Sequence, residues 1–183
     1  MSTTQHSDLI ASLIEKAVRH GADAADAVHI AGTSLSASCR LGAPEMVERS
    51  EGHDIGLRVL VGKRQASVST TDLAPDAIDE LVERAVAMAK AAPEDPYCGL
   101  ADPDQLVTDR PAIEMADPSE PSPETLAERA KAVEDAARSR SGITNSDGGD
   151  AGWSRTAVTL AASNGFLGGY ERTSSYVSAV VIA

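Results

Sequence analysis

Ile55-Gly-Leu-Arg-Val-Leu-Val61, Gly62-Lys-Arg64 and Gln65-Ala-Ser-Val-Ser-Thr-Thr71 are the stretch on which the fold turns. Ile55, Leu57, Val59 and Val61 alternate with Gly56, Arg58 and Leu60. Ala66, Val68 and Thr70 alternate with Ser67, Ser69 and Thr71. A period of two sends successive side chains to opposite faces, so each run reads as a strand with one face on a core. Gly62-Lys63-Arg64 between them is a turn signal. Upstream, Leu35, Ala37, Cys39 and Leu41 alternate with Ser36, Ser38 and Arg40, and Gly42-Ala43-Pro44 marks another turn. Residues 25–71 are therefore predicted to form four strands in an antiparallel meander. Val28 and Ile30 fall on the first, Met46 and Val47 on the second or third.

On both sides the period becomes helical. Over 7–20, Leu9, Ile10, Leu13, Ile14 and Ala17 make one apolar stripe, with Ser7 as the expected cap and Gly21 as the stop. Over 75–91 the stripe is Ile78, Leu81, Val82, Ala85, Val86 and Ala89. Pro75 suits the first helical position, and Asp76, Asp79 and Glu80 suit the positive end of the helix dipole. Residues 7–91 thus read as one unit of helix, four strands and helix.

Residues 92–122 hold six of the nine prolines, and eight acids against the single base Arg110. Such a stretch suits an extended connector, and a domain boundary is placed there. A third helix is expected over 123–139, capped by Ser122, with Leu126, Ala130, Val133 and Ala137 as its stripe. Strands resume after Gly142: Thr156, Val158 and Leu160 on one, then the hairpin signal Asn164-Gly165. Phe166, Gly168 and Tyr170 form the return strand, and Tyr176, Ser178, Val180 and Ile182 a further one. The fold class is α+β, with 123–183 the start of a second, incomplete helix-plus-antiparallel-sheet domain. Because 176–183 is an apolar strand with no turn or polar tail after it, the natural polypeptide is expected to continue.

Composition removes several function classes. Lys and Arg number 16 against 28 Asp and Glu, a net charge of −12, which repels nucleic-acid phosphate. Tyr97, Trp153, Phe166, Tyr170 and Tyr176 are the only aromatics, so the first 96 residues offer no stacking platform for bases. Two cysteines, Cys39 and Cys98, make no disulfide framework. No basic and apolar leader opens the chain and no window is apolar enough to span a membrane, so a cytoplasmic protein is expected.

No catalytic set is visible, and the catalytic, cofactor-binding and metal-binding residues of this chain are read as none. His6, His20, His29 and His53 lack zinc-ligand spacing and read as solvated or structural. Asn145 to Asp150 has the look of a calcium loop, but the position that needs a bidentate glutamate is Thr156, so it reads as a turn. Glu45, Glu48, Glu51 and Asp54 form the densest acidic patch of the first unit, either a solvated strand face or a docking site for a basic partner. Ser67, Ser69, Thr70 and Thr71 read as a polar strand face running into a helix cap, with peptide binding as the alternative. Exposed sheet edges can take extended peptides by strand addition.

Certain words match a known family. Glu45-Met-Val-Glu48, Gly56 to Ser67 and Ser69-Thr-Thr-Asp-Leu73 resemble the N-terminal domain of the TldD/PmbA family. Asp95-Pro-Tyr-Cys-Gly-Leu100 resembles its connector, and Ile143-Thr-Asn-Ser-Asp-Gly-Gly149 with Ser163-Asn-Gly165 through Tyr170 its second domain. The words Ser69 to Leu73 and Thr144 to Gly149 look like the PmbA, or TldE, branch. The resemblance implies a subunit of a cytoplasmic heterodimeric zinc protease that acts on unfolded peptides and carries the label modulator of DNA gyrase. It implies a TldD-like partner that supplies the zinc through H-E-x-x-x-H, a motif for which no position here is a match. This chain is expected to serve as scaffold and as partner or peptide surface, and alone to cleave nothing and hold no zinc. Two alternatives stay open: the N-terminal part of a catalytic TldD-type protein, and a non-enzymatic module acting on gyrase.

Overall fold

The computed structural model describes residues 3–109 and 111–183, with side chains from Ser7 onward. In order, the elements are α1 (Thr3–Arg19), β1 (Ala24–Arg40), β2 (Ala43–Val61), β3 (Arg64–Thr70), α2 (Pro75–Ala91), a 3-10 turn (Pro103–Gln105), α3 (Pro123–Arg138), β4 (Asn145–Ala162) and β5 (Leu167–Ile182). The strands are ordered β3-β2-β1-β4-β5. The register of β2 against β3 is antiparallel, from Ile55 opposite Thr70 to Val61 opposite Arg64, which leaves Gly62-Lys63 as the turn. Along β1, Ala25 meets Ser163 and Cys39 meets Gly148, so β1 also runs antiparallel to β4.

The α+β class is as read, but the strands are fewer and longer. Three strands, not four, occupy 25–71: the two expected around Val28 and Leu35 are one strand, β1. Likewise 166–170 and 176–182 are one strand, β5. Asn145–Asp150, expected as a turn, is the beginning of β4. In each case ladder hydrogen bonds to a neighbouring strand carry the backbone through residues whose own pattern is broken or polar. Helix α1 begins at Thr3, so Ser7 lies inside the helix and is not its cap. Helices α2 and α3 match the expected spans to within a residue, and the Ser122 hydroxyl accepts from the Thr125 amide as read.

The chain divides into two compact units that interleave along the sequence. The first is Met1–Ala31, His53–Ala112 and Ala157–Tyr170; the second is Gly32–Gly52, Ile113–Thr156 and Glu171–Ala183. In the first, α1 and α2 lay their apolar stripes on one face of the sheet. Ile10, Leu13, Leu57, Val59, Leu81 and Val82 form its centre, and the core is wholly aliphatic. In the second, α3 packs Leu126 and Ala130 against Leu35, Ala37 and Cys39 of β1 and Ala151 and Trp153 of β4.

Candidate functional site

Among the described residues, each unit has a place where partly or fully buried polar side chains gather. In the first unit, on the sheet face away from the helices, the connector crosses a cleft of about 190 Å³. Arg58 of β2 and Asp26 of β1 form one wall. Arg58 Nε donates to both Asp26 oxygens, at 3.1 and 3.2 Å, Nη2 donates to Oδ2, and Nη1 lies 3.5 Å from Gln65 Oε1. Opposite them, the Asn164 amide nitrogen donates to the Ala101 carbonyl at 2.9 Å and fixes the connector. Leu100, Leu106, Leu160 and Phe166 complete the lining. Arg58 has its donors engaged by Asp26 and Gln65, so the cleft is an apolar slot with a neutralised ion pair in its wall.

In the second unit, Glu134 of α3 is fully buried. Its Oε1 accepts from the Leu41 amide at 2.7 Å and its Oε2 from the Gly42 amide at 2.9 Å. The Cys39 thiol lies 3.6 Å from Oε2, and the Ser146 hydroxyl also bonds to the carboxylate. Burial pushes this carboxyl upward, but bonds from Ser146, Gly42, Leu41 and Cys39 outweigh it and hold its pKa down at about 2. Burial, with the nearby Glu134 charge, pushes the Cys39 thiol up. The glutamate is therefore a fixed anion and acceptor, and the thiol stays protonated at neutral pH, unsuited to nucleophilic attack.

The turn that Glu134 grips is tight. Leu41 has φ +52° and Gly42 φ +81°, both in the left-handed region that a two-residue hairpin turn requires. Leu41, read as the last inward strand residue, is instead a turn residue, 55% exposed. A leucine there costs about 1 kcal/mol relative to a residue that tolerates this conformation. Leu41→Asn keeps the amide that Glu134 binds, so it is expected to raise the stability by about that amount. A melting temperature equal to or below the parent's would contradict this account of the turn.

Glu134 carried a signal that the apolar pattern passes over. Leu126, Ala130 and Glu134 recur at intervals of four, so the glutamate stands in line with two core residues. The other candidates are dispersed. Glu45, Glu48, Glu51 and Asp54 are exposed along β2, and Glu51 pairs with Arg49. Ser67, Ser69 and Thr70 lie on β3, at the edge of the sheet, and Thr70 Oγ1 accepts from the Asp72 amide at 3.0 Å just before α2. That helix starts at Pro75 with no side-chain cap. His20 Nδ1 lies 2.9 Å from the Lys16 carbonyl at the end of α1. The side chain of His6 and the connector base Arg110 lie outside the described residues.

His29 and His53 are brought together, with ring centroids 6.1 Å apart. Among the described residues no three His, Cys, Asp or Glu side chains gather in a way that could hold a metal ion. No described helix is long and apolar enough to cross a membrane.

Two consecutive family models match the chain: the PmbA/TldA metallopeptidase domain 1 over residues 25–89 and the PmbA/TldA metallopeptidase central domain over 116–183. The metalloprotease PmbA of Escherichia coli O157:H7 is 36% identical over 152 residues, covering 82% of this chain and 34% of that protein. A PmbA homolog of Haemophilus influenzae is 33% identical over 171 residues, covering 92% of this chain and 38% of that protein. The chain thus spans little more than a third of the length of these curated relatives. Among solved structures, a protein of Bacteroides thetaiotaomicron designated a modulator of DNA gyrase superposes with a TM-score of 0.90 at 22% identity, over 99% of this chain and 42% of that one. TldE from Thermococcus kodakarensis does so with a TM-score of 0.76 at 22% identity, over 94% and 39%. At these identities the superpositions speak for the fold.

Proposed function

Because the chain belongs to the PmbA/TldD metallopeptidase family, we propose that it works as a PmbA/TldE-type subunit of a zinc-dependent protease acting on unfolded peptides in the cytoplasm. A TldD-like partner supplies the metal, and this chain supplies scaffold and a peptide- or partner-binding surface. The observation that carries this reading is the 36% identity to PmbA across 82% of the chain, together with the two domain models in order. Among the described residues His29 and His53 pair with no third His, Cys, Asp or Glu gathered beside them, which supports a partner as the source of the zinc. The same two matches support residues 7–91 and 123–183 as the family's successive modules, joined by the connector 92–122.

Reconstitution tests this. The full-length protein is co-purified with its TldD-type partner and assayed on an unfolded peptide, and metal content is measured for each subunit. Cleavage is expected only when both subunits are present, with stoichiometric zinc in the partner. Cleavage unchanged when this subunit is omitted, or one tightly held zinc in this chain, would overturn the assignment. So would recovery of gyrase with the chain and no TldD-type protein, which favours a gyrase-binding role.

A further inference from the structure

Strand β3 is too short to cover β2. It pairs with Ile55 to Val61 and stops there, so among the described residues Ala43–Gly52 of β2 has β1 on one side and no strand on the other. Nor does any described loop or helix bond to that backbone. Ten residues of strand present an outer edge of about 33 Å whose amides and carbonyls face solvent. Every side chain of the segment is exposed, Met46 and Val47 included.

The charge along this edge is one-sided. Arg49 is already neutralised by Glu51 and Glu120. Glu45 and Glu48 have no ion-pair partner among the described residues. Their odd and even positions send them to opposite faces of the strand. An arriving strand would therefore meet an uncompensated carboxylate and an exposed apolar side chain on each face. In one register a second copy of this edge fits badly. Antiparallel self-pairing centred on Glu48 sets that residue against itself and Glu45 against Glu51, and like charges directly opposite destabilise a sheet.

We propose that the outer edge of β2 at Ala43–Gly52 binds an extended, lysine- or arginine-rich peptide segment by strand addition. Backbone pairing supplies the affinity, and Glu45 and Glu48 select for basic side chains on both faces. This binding requires neither metal nor protease partner, so it can stand or fall apart from the function proposed above.

The test is fluorescence anisotropy on the intact chain with the labelled peptide Thr-Lys-Lys-Val-Lys-Lys-Val-Lys-Thr. Saturable binding that weakens with salt is expected, and the counterpart with glutamate at each lysine should not bind. Two further peptides carry N-methyl groups on the odd or on the even amides. Only alternate amides of an added strand face β2, so one methylated peptide should lose at least tenfold in affinity and the other should bind like the parent. The exposed double variant Glu45→Lys/Glu48→Lys should also bind the parent at least tenfold more weakly, with an unchanged circular dichroism spectrum. No saturable binding of the parent peptide, equal binding of the acidic peptide, or equal binding of both methylated peptides would overturn the proposal. The peptide series decides the matter even where the double variant fails to fold.

Discussion

Glu134→Ala is expected to destabilise the chain by about 3 kcal/mol at pH 7, a fall in melting temperature of roughly 6–12 °C for a protein of this size. The carboxylate meets the amides of Leu41 and Gly42, and its removal leaves both without their acceptor. The Cys39 thiol loses its acceptor as well, while the Ser146 hydroxyl keeps the Val180 carbonyl within reach. Glu134→Gln retains the volume yet turns an NH2 toward one of the two amide donors, so it recovers little. The pH dependence identifies the cause. The folded pKa is lowered from 4.5 to about 2, so the stabilisation is complete above the unfolded value and disappears as pH falls from about 5 through 2. A shift of that size corresponds to about 3 kcal/mol. Asp117 and Glu124 are also lowered, by their bonds to Ser119 and to the backbone and Ser122. The informative quantity is therefore the difference between parent and Glu134→Gln, followed by denaturant melts from pH 7 to pH 2. That difference should shrink steadily as pH falls. A constant difference would mean that the ionised form is not what the site recognises.

Gly149→Ala should cost about 2–4 kcal/mol although it adds one methyl group. A Cβ at this position would lie 2.3 Å from the Ala130 carbonyl oxygen and 2.9 Å from Glu134 Cβ. Both belong to α3, and the first is backbone, which cannot rotate aside. The helix must retreat from β4, and that withdraws Glu134 from the turn it holds. Two comparisons separate this from ordinary overpacking. Ala130→Gly should not rescue Gly149→Ala, because the collision is with the carbonyl and not with the alanine methyl. The double variant Gly149→Ala/Glu134→Ala should lose clearly less than the sum of the single changes, since both act through the same contact between helix and turn. Full additivity in a double-mutant cycle would show that the two positions are independent.

Much of the fold was legible because helices and strands depend on near neighbours. The stripe from Ile78 to Ala89 specified α2, with Pro75 as its first residue. Gly62 and Lys63 specified the β2–β3 turn, and the absence of aromatics before Tyr97 foretold an aliphatic first core. Family membership was also readable, in the words around Gly56, Ser69 and Ile143, and the two domain models confirm it. Strand extent was less readable. Met46 and Val47 are expected on a strand and lie on one, but with both faces open no burial alternation marks its extent, so only the folded sheet shows that one strand runs unbroken from Ala43 to Val61.

The sequence by itself determined the α+β class, the three helices, the aliphatic first core and the family, since periodicity, capping and turn chemistry act over one to four residues. Only the tertiary structure decided which glutamate became a buried anion and which stretch of strand edge stayed open. Glu134 and Leu41 are 93 positions apart, and β3 falls short of Ala43–Gly52 by its length alone. Such outcomes depend on which segments meet in space and how far each extends, and no local pattern in the chain records that.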